Sequence, residues 1–235
     1  MKHVISTLLI LIATASGVAA QKPMEEKDRL AISVEKPLGI DNENAARSLQ
    51  NNIMQAITLN GLSSAESRFT TLVSASLLSQ NTTNTAPVMY VTELEIMAFI
   101  GDLYTGTVFG QASFTVKGVG KTPDKAYINA VQQVKARNPQ LKSLILTSKD
   151  KILAYFDAEF DQIIARIDAF IKAGDYKSAL IEGNAIPRAS ADLYNAVTER
   201  LSAIPASEKA GIDRSITDSY YFSGSREERV SIFLQ

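Results

Sequence analysis

The chain of 235 residues contains no cysteine, no tryptophan and a single histidine, His3. Without a thiol there can be no disulfide framework, no cysteine nucleophile and no thiolate ligand for a metal. The one imidazole sits in a segment that reads as a leader. Lys2 and His3 form a short basic start, Val4 to Ala15 is almost wholly apolar, and Val18-Ala19-Ala20 precedes the polar Gln21-Lys22-Pro23. This three-part pattern predicts a signal peptide over residues 1–20, and its apolar run is too short for a good membrane span. Export would leave a mature chain with no imidazole at all, which excludes a Ser-His-Asp triad and a His/Cys zinc site.

An excess of charge of either sign is lacking as well. Loss of Lys2 with the leader leaves 23 of the 24 basic residues against 25 acids, a net charge of −2. A nearly neutral surface gives no electrostatic case for nucleic acid. No second long apolar run occurs, so no membrane insertion is expected after signal removal, and no cysteine follows the leader to carry a lipid anchor. The expected location is exported, in the periplasm or outside the cell. Stability must come from an apolar core, which about 215 residues can supply.

What is present is α and β patterning in sequence. "RLAISVEK" (29–36) reads as a strand closed by Pro37 and Gly39. Apolar residues at Ala45, Ala46, Leu49, Ile53, Ala56 and Ile57 then recur at helical spacing, with Asp41 or Asn42 as cap and Asn60-Gly61 as stop. Three strand-like runs follow at 69–79, 88–100 and 107–117, joined by turn-rich connections that favour an antiparallel meander. The last alternates Val108, Ala112, Phe114 and Val116 with polar residues, the pattern of a strand with one wet face. A helix is expected over 122–136 and another from Asn138-Pro139, long enough to predict a break near Asp157. Two shorter helices, 177–185 and about 189–203, are bounded by Pro187 and Pro205. The expected fold class is α+β: an antiparallel or mixed sheet with helices packed on one face, followed by a helical hairpin region. The expected division is an α+β domain at 21–156, a helical hairpin region at 157–205 and a tail at 206–235, in which "RVSIFLQ" reads as either a late edge strand or a loose end.

Motifs for chemistry fall short. Gly118-Val119-Gly120-Lys121-Thr122 has the end of a phosphate-binding loop, but the first glycine of that motif would fall on Thr115. The residues read instead as two glycines permitting a bend, followed by Thr122 as helix cap, Pro123 in the first turn and Asp124 at the positive helix end. Ser148-x-x-Lys151 matches an acylating Ser-x-x-Lys, yet Lys121-Thr122 is followed by Pro123 rather than glycine, and solvent-facing residues on a long helix explain both. Glu93 and Glu95 share one strand face about 6.6 Å apart. Paired carboxylates at that separation could serve glycoside hydrolysis, but acids on the wet side of a strand are the plainer picture. No catalytic residue, cofactor or metal is implied.

"AFIKAGDYKSAL" (169–180) resembles one tetratricopeptide repeat through its turn, with Gly174 for the bend and Tyr176 and Ala179 between two helices. Gly183 and Pro187 are expected to break the second helix. Asp175 and Tyr176 are candidate binding residues here, and Glu93 and Glu95 on the strand. The order strand, helix, three strands, helix over about residues 29–136 resembles bacterial envelope domains. These are the amino-terminal domain of TolB, the lipoprotein activators of penicillin-binding proteins, and the curli secretion-channel subunit. The likeness is carried by "RLAISV", "AARSLQNNIMQAITLNGL" and Asp102-x-x-Thr105-Gly106-x-Val108. The whole chain also resembles secreted proteins of gut Bacteroidetes. The resemblance implies a non-enzymatic envelope role through contacts with an envelope protein partner. The absent cysteine departs from the lipoprotein members. Two alternatives stand beside it: an envelope hydrolase using carboxylates or a Ser-Lys pair, and a homo-oligomeric ring or filament subunit.

Overall fold

A computed structural model describes residues 30–64 and 67–209; the leader and "RVSIFLQ" lie outside the described residues. The fold is α+β. Strands β1 (Ser33–Val34), β2 (Phe69–Thr82), β3 (Tyr90–Asp102) and β4 (Val108–Gly120) form one sheet in the order β1-β2-β3-β4. β2, β3 and β4 are the expected antiparallel meander. β1 pairs parallel to β2, because α1 (Glu43–Leu59) carries the chain back across the sheet before β2 begins. The sheet is therefore mixed.

Alternation sets its two faces. Leu94, Ile96, Ala98 and Ile100 of β3 are fully buried, and Phe114 and Val116 of β4 lie on the same side. Each fully buried Leu or Ile contributes about 1.5–3 kcal/mol by leaving water. Over this face pack α1, α2 (Pro123–Val131) and α3 (Pro139–Ala158). The opposite face carries Glu93, Glu95 and Met97, half-buried, with Ser113, Thr115 and Lys117 exposed beside them. At one end of it Leu72, Leu38, Phe99 and Leu103 form a small apolar cluster.

Helix boundaries follow local chemistry. Asn42 accepts from the Ala45 N–H at 3.0 Å, Thr122 from Lys125 at 3.3 Å, and Asn138 from Gln140 at 2.8 Å and Leu141 at 3.2 Å. Pro123 and Pro139 each stand in the first turn. α2 stops at Val131 rather than reaching 136, since the Gln133 and Val134 amides bond three residues back instead of four. The long apolar run breaks at Glu159, two residues beyond the expected point, giving α3 and α4 (Phe160–Ala173). α5 (Tyr176–Asn184), α6 (Ala191–Ser202) and the short α7 (Ala206–Lys209) complete the described chain.

Two glycine expectations need correction. Gly118 and Gly120 do not make a bend: both remain in β4, and the positive-φ glycines are Gly39, Gly61, Gly106 and Gly174. Their value is the missing side chain. A Cβ at residue 118 would lie 2.1 Å from the Ala130 nitrogen and 2.2 Å from the Ala126 oxygen, so α2 sits directly on the strand backbone. Gly183, likewise, does not break α5 but lies within it. A Cβ there would come 2.5 Å from Leu201 Cδ1, so the glycine sets the approach of α5 to α6.

These contacts are testable. Gly118→Val forces two backbone atoms apart and should cost about 3 kcal/mol or more. Chemical denaturation of the purified variant checks this, and an unchanged midpoint would contradict the direct seating of α2.

Candidate functional site

Among the described residues β4 is the last strand of the sheet, and no described strand lies beyond its outer edge. The Met89 carbonyl accepts from the Thr83 N–H at 2.8 Å, so residue 89 turns its backbone groups to β2. Alternation along β3 then turns those of Ile96 to β4, and Phe114, opposite Ile96, turns its own back to β3. Gln111, Ser113, Thr115 and Lys117 must therefore point their N–H and C=O groups away from the sheet. Val119 confirms the parity, because its outward carbonyl is met by Asn129 Nδ2 at 2.7 Å. Among the described residues no turn, loop or side-chain hydrogen bond reaches the outward groups of residues 111–117.

At its start this edge opens into a groove of about 540 Å³, walled by residues 108–112 and by Gln140, Ser143, Leu144, Thr147 and Lys151. The α3 residues are spaced as one helical face. Gly110 lets that face approach: a Cβ there would lie 2.3 Å from Ser148 Oγ and 2.9 Å from Leu144 Cδ1. Val108 is exposed at the mouth, while Phe109 is buried edge-on to Phe69 and Tyr155.

Below the groove a buried ion pair fixes the sheet to the helices. Arg68 and Asp102, 34 residues apart, pair across the start of β2 and the end of β3. Arg68 Nε donates to Asp102 Oδ1 at 3.1 Å and Nη2 to Oδ2, a two-point contact, while Nη1 donates to the Ala185 carbonyl at 3.3 Å. The guanidinium lies 4.7 Å from the Tyr104 ring centre, 5.3 Å from Phe69 and 5.4 Å from Phe156. Asp102 is wholly buried and also accepts from the Tyr104 N–H at 2.8 Å; the Gly106 N–H returns to its carbonyl at 2.9 Å. Gly106, at φ 70°, supplies the left-handed residue this hairpin needs. The Asp-x-x-Thr-Gly pattern was visible in the sequence; its arginine partner was not.

The expected site residues are placed as follows. Glu93 and Glu95 lie on the uncovered sheet face. Glu93 pairs with Lys117 at 3.3 Å and accepts from Ser79 Oγ at 3.4 Å, and Glu95 accepts from Ser113 Oγ at 2.6 Å. Lys117 is 65% exposed, so its ion pair contributes at most about 1 kcal/mol. Asp175 and Tyr176 stand elsewhere, in the α4–α5 hairpin, which packs on α6 and α7. Asp175 caps α5 through the Ser178 N–H at 3.1 Å. Hydrogen bonding from the Ser178 side chain and backbone holds its carboxyl below the usual value. Tyr176 is half-buried against Ala179, Leu180 and Ile204.

Ser148 corrects the sequence reading. It does not face solvent but is fully buried, and its hydroxyl has no hydrogen-bond partner among the described residues. Lys151 lines the groove, so the two are not presented together at a surface. Among the described residues no group of three or more acidic, His or Cys side chains is placed to hold a metal, and no helix is long and apolar enough to cross a membrane.

Removing Asp102 should be severe. Asp102→Ala leaves a guanidinium that is 11% exposed without its counter-charge, a loss of about 3–5 kcal/mol. Thermal unfolding of the variant measures it; a loss below about 1 kcal/mol would reduce the pair to surface behaviour.

No family model matches the chain, and no curated protein matches it. Among solved structures it is similar to a minor lipoprotein from Acinetobacter baumannii, at 13% identity over 53% of this chain and 94% of that one, with a TM-score of 0.33. It is similar also to a PelC dodecamer from Paraburkholderia phytofirmans, at 12% identity over 55% and 89%, TM-score 0.26. A lipoprotein from Caulobacter crescentus matches at 11% identity over 51% and 83%, TM-score 0.26. Likenesses this distant leave the function to be argued from the chain's own residues.

Proposed function

We propose that the protein is an exported, non-enzymatic binding module of the cell envelope that takes an extended segment of a partner protein onto the free edge of β4. The observation that carries this reading is the row of outward backbone groups at Gln111, Ser113, Thr115 and Lys117, which have no hydrogen-bond partner among the described residues on the last described strand of the sheet. Such a row is a template for strand addition, in which main-chain hydrogen bonds supply affinity and flanking pockets supply selectivity. The adjoining groove offers a flank of that kind. The leader pattern supports export, and the resemblance to TolB-like and activator domains supports an envelope setting.

Two features favour the edge over the other surfaces. Asp175 and Tyr176, the hairpin candidates, are engaged in capping α5 and in packing. Glu93 and Glu95 are answered by Lys117, Ser79 and Ser113 on the sheet face away from the core. A hydrolytic pair would need one carboxyl kept protonated by its surroundings. The hydrolase alternative built on Ser148 meets a hydroxyl buried away from solvent.

Ser113→Pro tests the edge. The lost N–H points outward, so the ladder to β3 is preserved and the fold should tolerate an edge proline. With a photoreactive residue at position 115, cross-linking in the native envelope should give a discrete protein adduct. Ser113→Pro should suppress that adduct while lowering the melting temperature only by the small amount expected from losing the exposed Ser113–Glu95 hydrogen bond. An adduct that survives the proline would place the contact elsewhere.

A further inference from the structure

The binding edge and its groove differ in charge, and this points to the chemistry of what they receive. Resting on the strand-addition reading above, we infer that the partner segment carries a carboxylate side chain, which Lys151 engages where the segment passes over the groove. Lys151 is the one charged residue among those lining the groove, and no acidic side chain lines it. It is exposed and has no ion pair among the described residues. The second cation along the edge, Lys117, is already turned to Glu93 on the sheet face. The unanswered positive charge therefore lies at the groove end of the edge, beside residues 108–112.

The rest of the lining fits an extended chain passing this way. Leu144 and Ala112 give apolar contact for a side chain pointing into the groove, while Gln140, Ser143 and Thr147 present hydrogen-bonding groups along the α3 wall. A strand added at residues 111–117 presents alternate side chains to one side. One directed toward α3 near residue 111 comes to Lys151. A cation there would meet like charge, and a neutral residue would leave the ammonium unpaired but solvated. The charge thus selects more than it stabilises.

Synthetic nonapeptides of alternating threonine and valine with blocked ends supply the probe. Each carries one glutamate second from one end or second from the other, with matched glutamine versions, and fluorescence anisotropy reads binding to the mature protein. At least one glutamate peptide should bind saturably and about fivefold tighter than its glutamine version, as for a partly exposed ion pair. That preference should vanish in Lys151→Gln, and all binding should be lost in Ser113→Pro. Equal binding of glutamate and glutamine peptides, or a preference that survives Lys151→Gln, would overturn the assigned chemistry while leaving the edge as the binding surface. Saturable binding by none of the peptides would overturn the edge reading itself.

Discussion

Arg68 and Asp102 hold the junction on which the described architecture turns. A guanidinium buried to this degree is tolerable only because a carboxylate meets it at two points and three aromatic rings surround it. Each contact ties a different part of the chain. Asp102 belongs to the β3–β4 hairpin, Phe69 to β2, Phe156 to α3, and the Ala185 carbonyl to the turn after α5. The pair thus joins the meander to the helices that follow it, and it fixes where α3 runs relative to the start of β4. Phe156 packs edge-on to Phe69 at 6.1 Å, carrying the same alignment into the core.

The position of α3 decides the shape of the sheet's outer boundary. Glycines at 110, 118 and 120 let α2 and α3 lie against the backbone of β4, covering its inner face. Neither helix continues around the strand to bond the outward amides at 111–117. Burial of one face and exposure of the edge therefore have the same cause: helices seated close on the strand rather than beside it. At the opposite boundary β2 is partly shielded by β1 and by the bridge of Leu38 to Ser74, and it is bulged between Leu77 and Ser79, a device that blunts pairing. β4 has a register shift only at its start, near Gly101.

Most of the elements were legible because each rests on local chemistry. Asn42, Thr122 and Asn138 announced helix starts, Gly61 and Gly174 the stops, and the alternation through Phe114 and Val116 the buried side of β4. Most of the failures share one cause, which is contact between residues distant in sequence. Gly118 and Gly120 resemble turn residues until α2 is placed on them. Ser148 reads as a surface residue by its polarity, although its spacing from Leu144, Ile145 and Ile152 places it on the apolar face of α3, where it is buried opposite Gly110. Arg68 carries no mark of a partner 34 residues away. The free edge was also hidden, since a meander does not reveal on which side β1 will add. For the candidate site, sequence placed Glu93 and Glu95 on one face and Asp175 at a helix start, but it gave no indication of a groove beside residues 108–112.

Amide hydrogen exchange along β4 in the isolated protein, read residue by residue by NMR, tests the free edge most directly. Fast exchange at Gln111, Ser113, Thr115 and Lys117, alternating with slow exchange at Ala112, Phe114 and Val116, is the predicted pattern. Uniformly slow exchange from 111 to 117 would mean that the outward amides already have partners, and would contradict an edge held open for another chain.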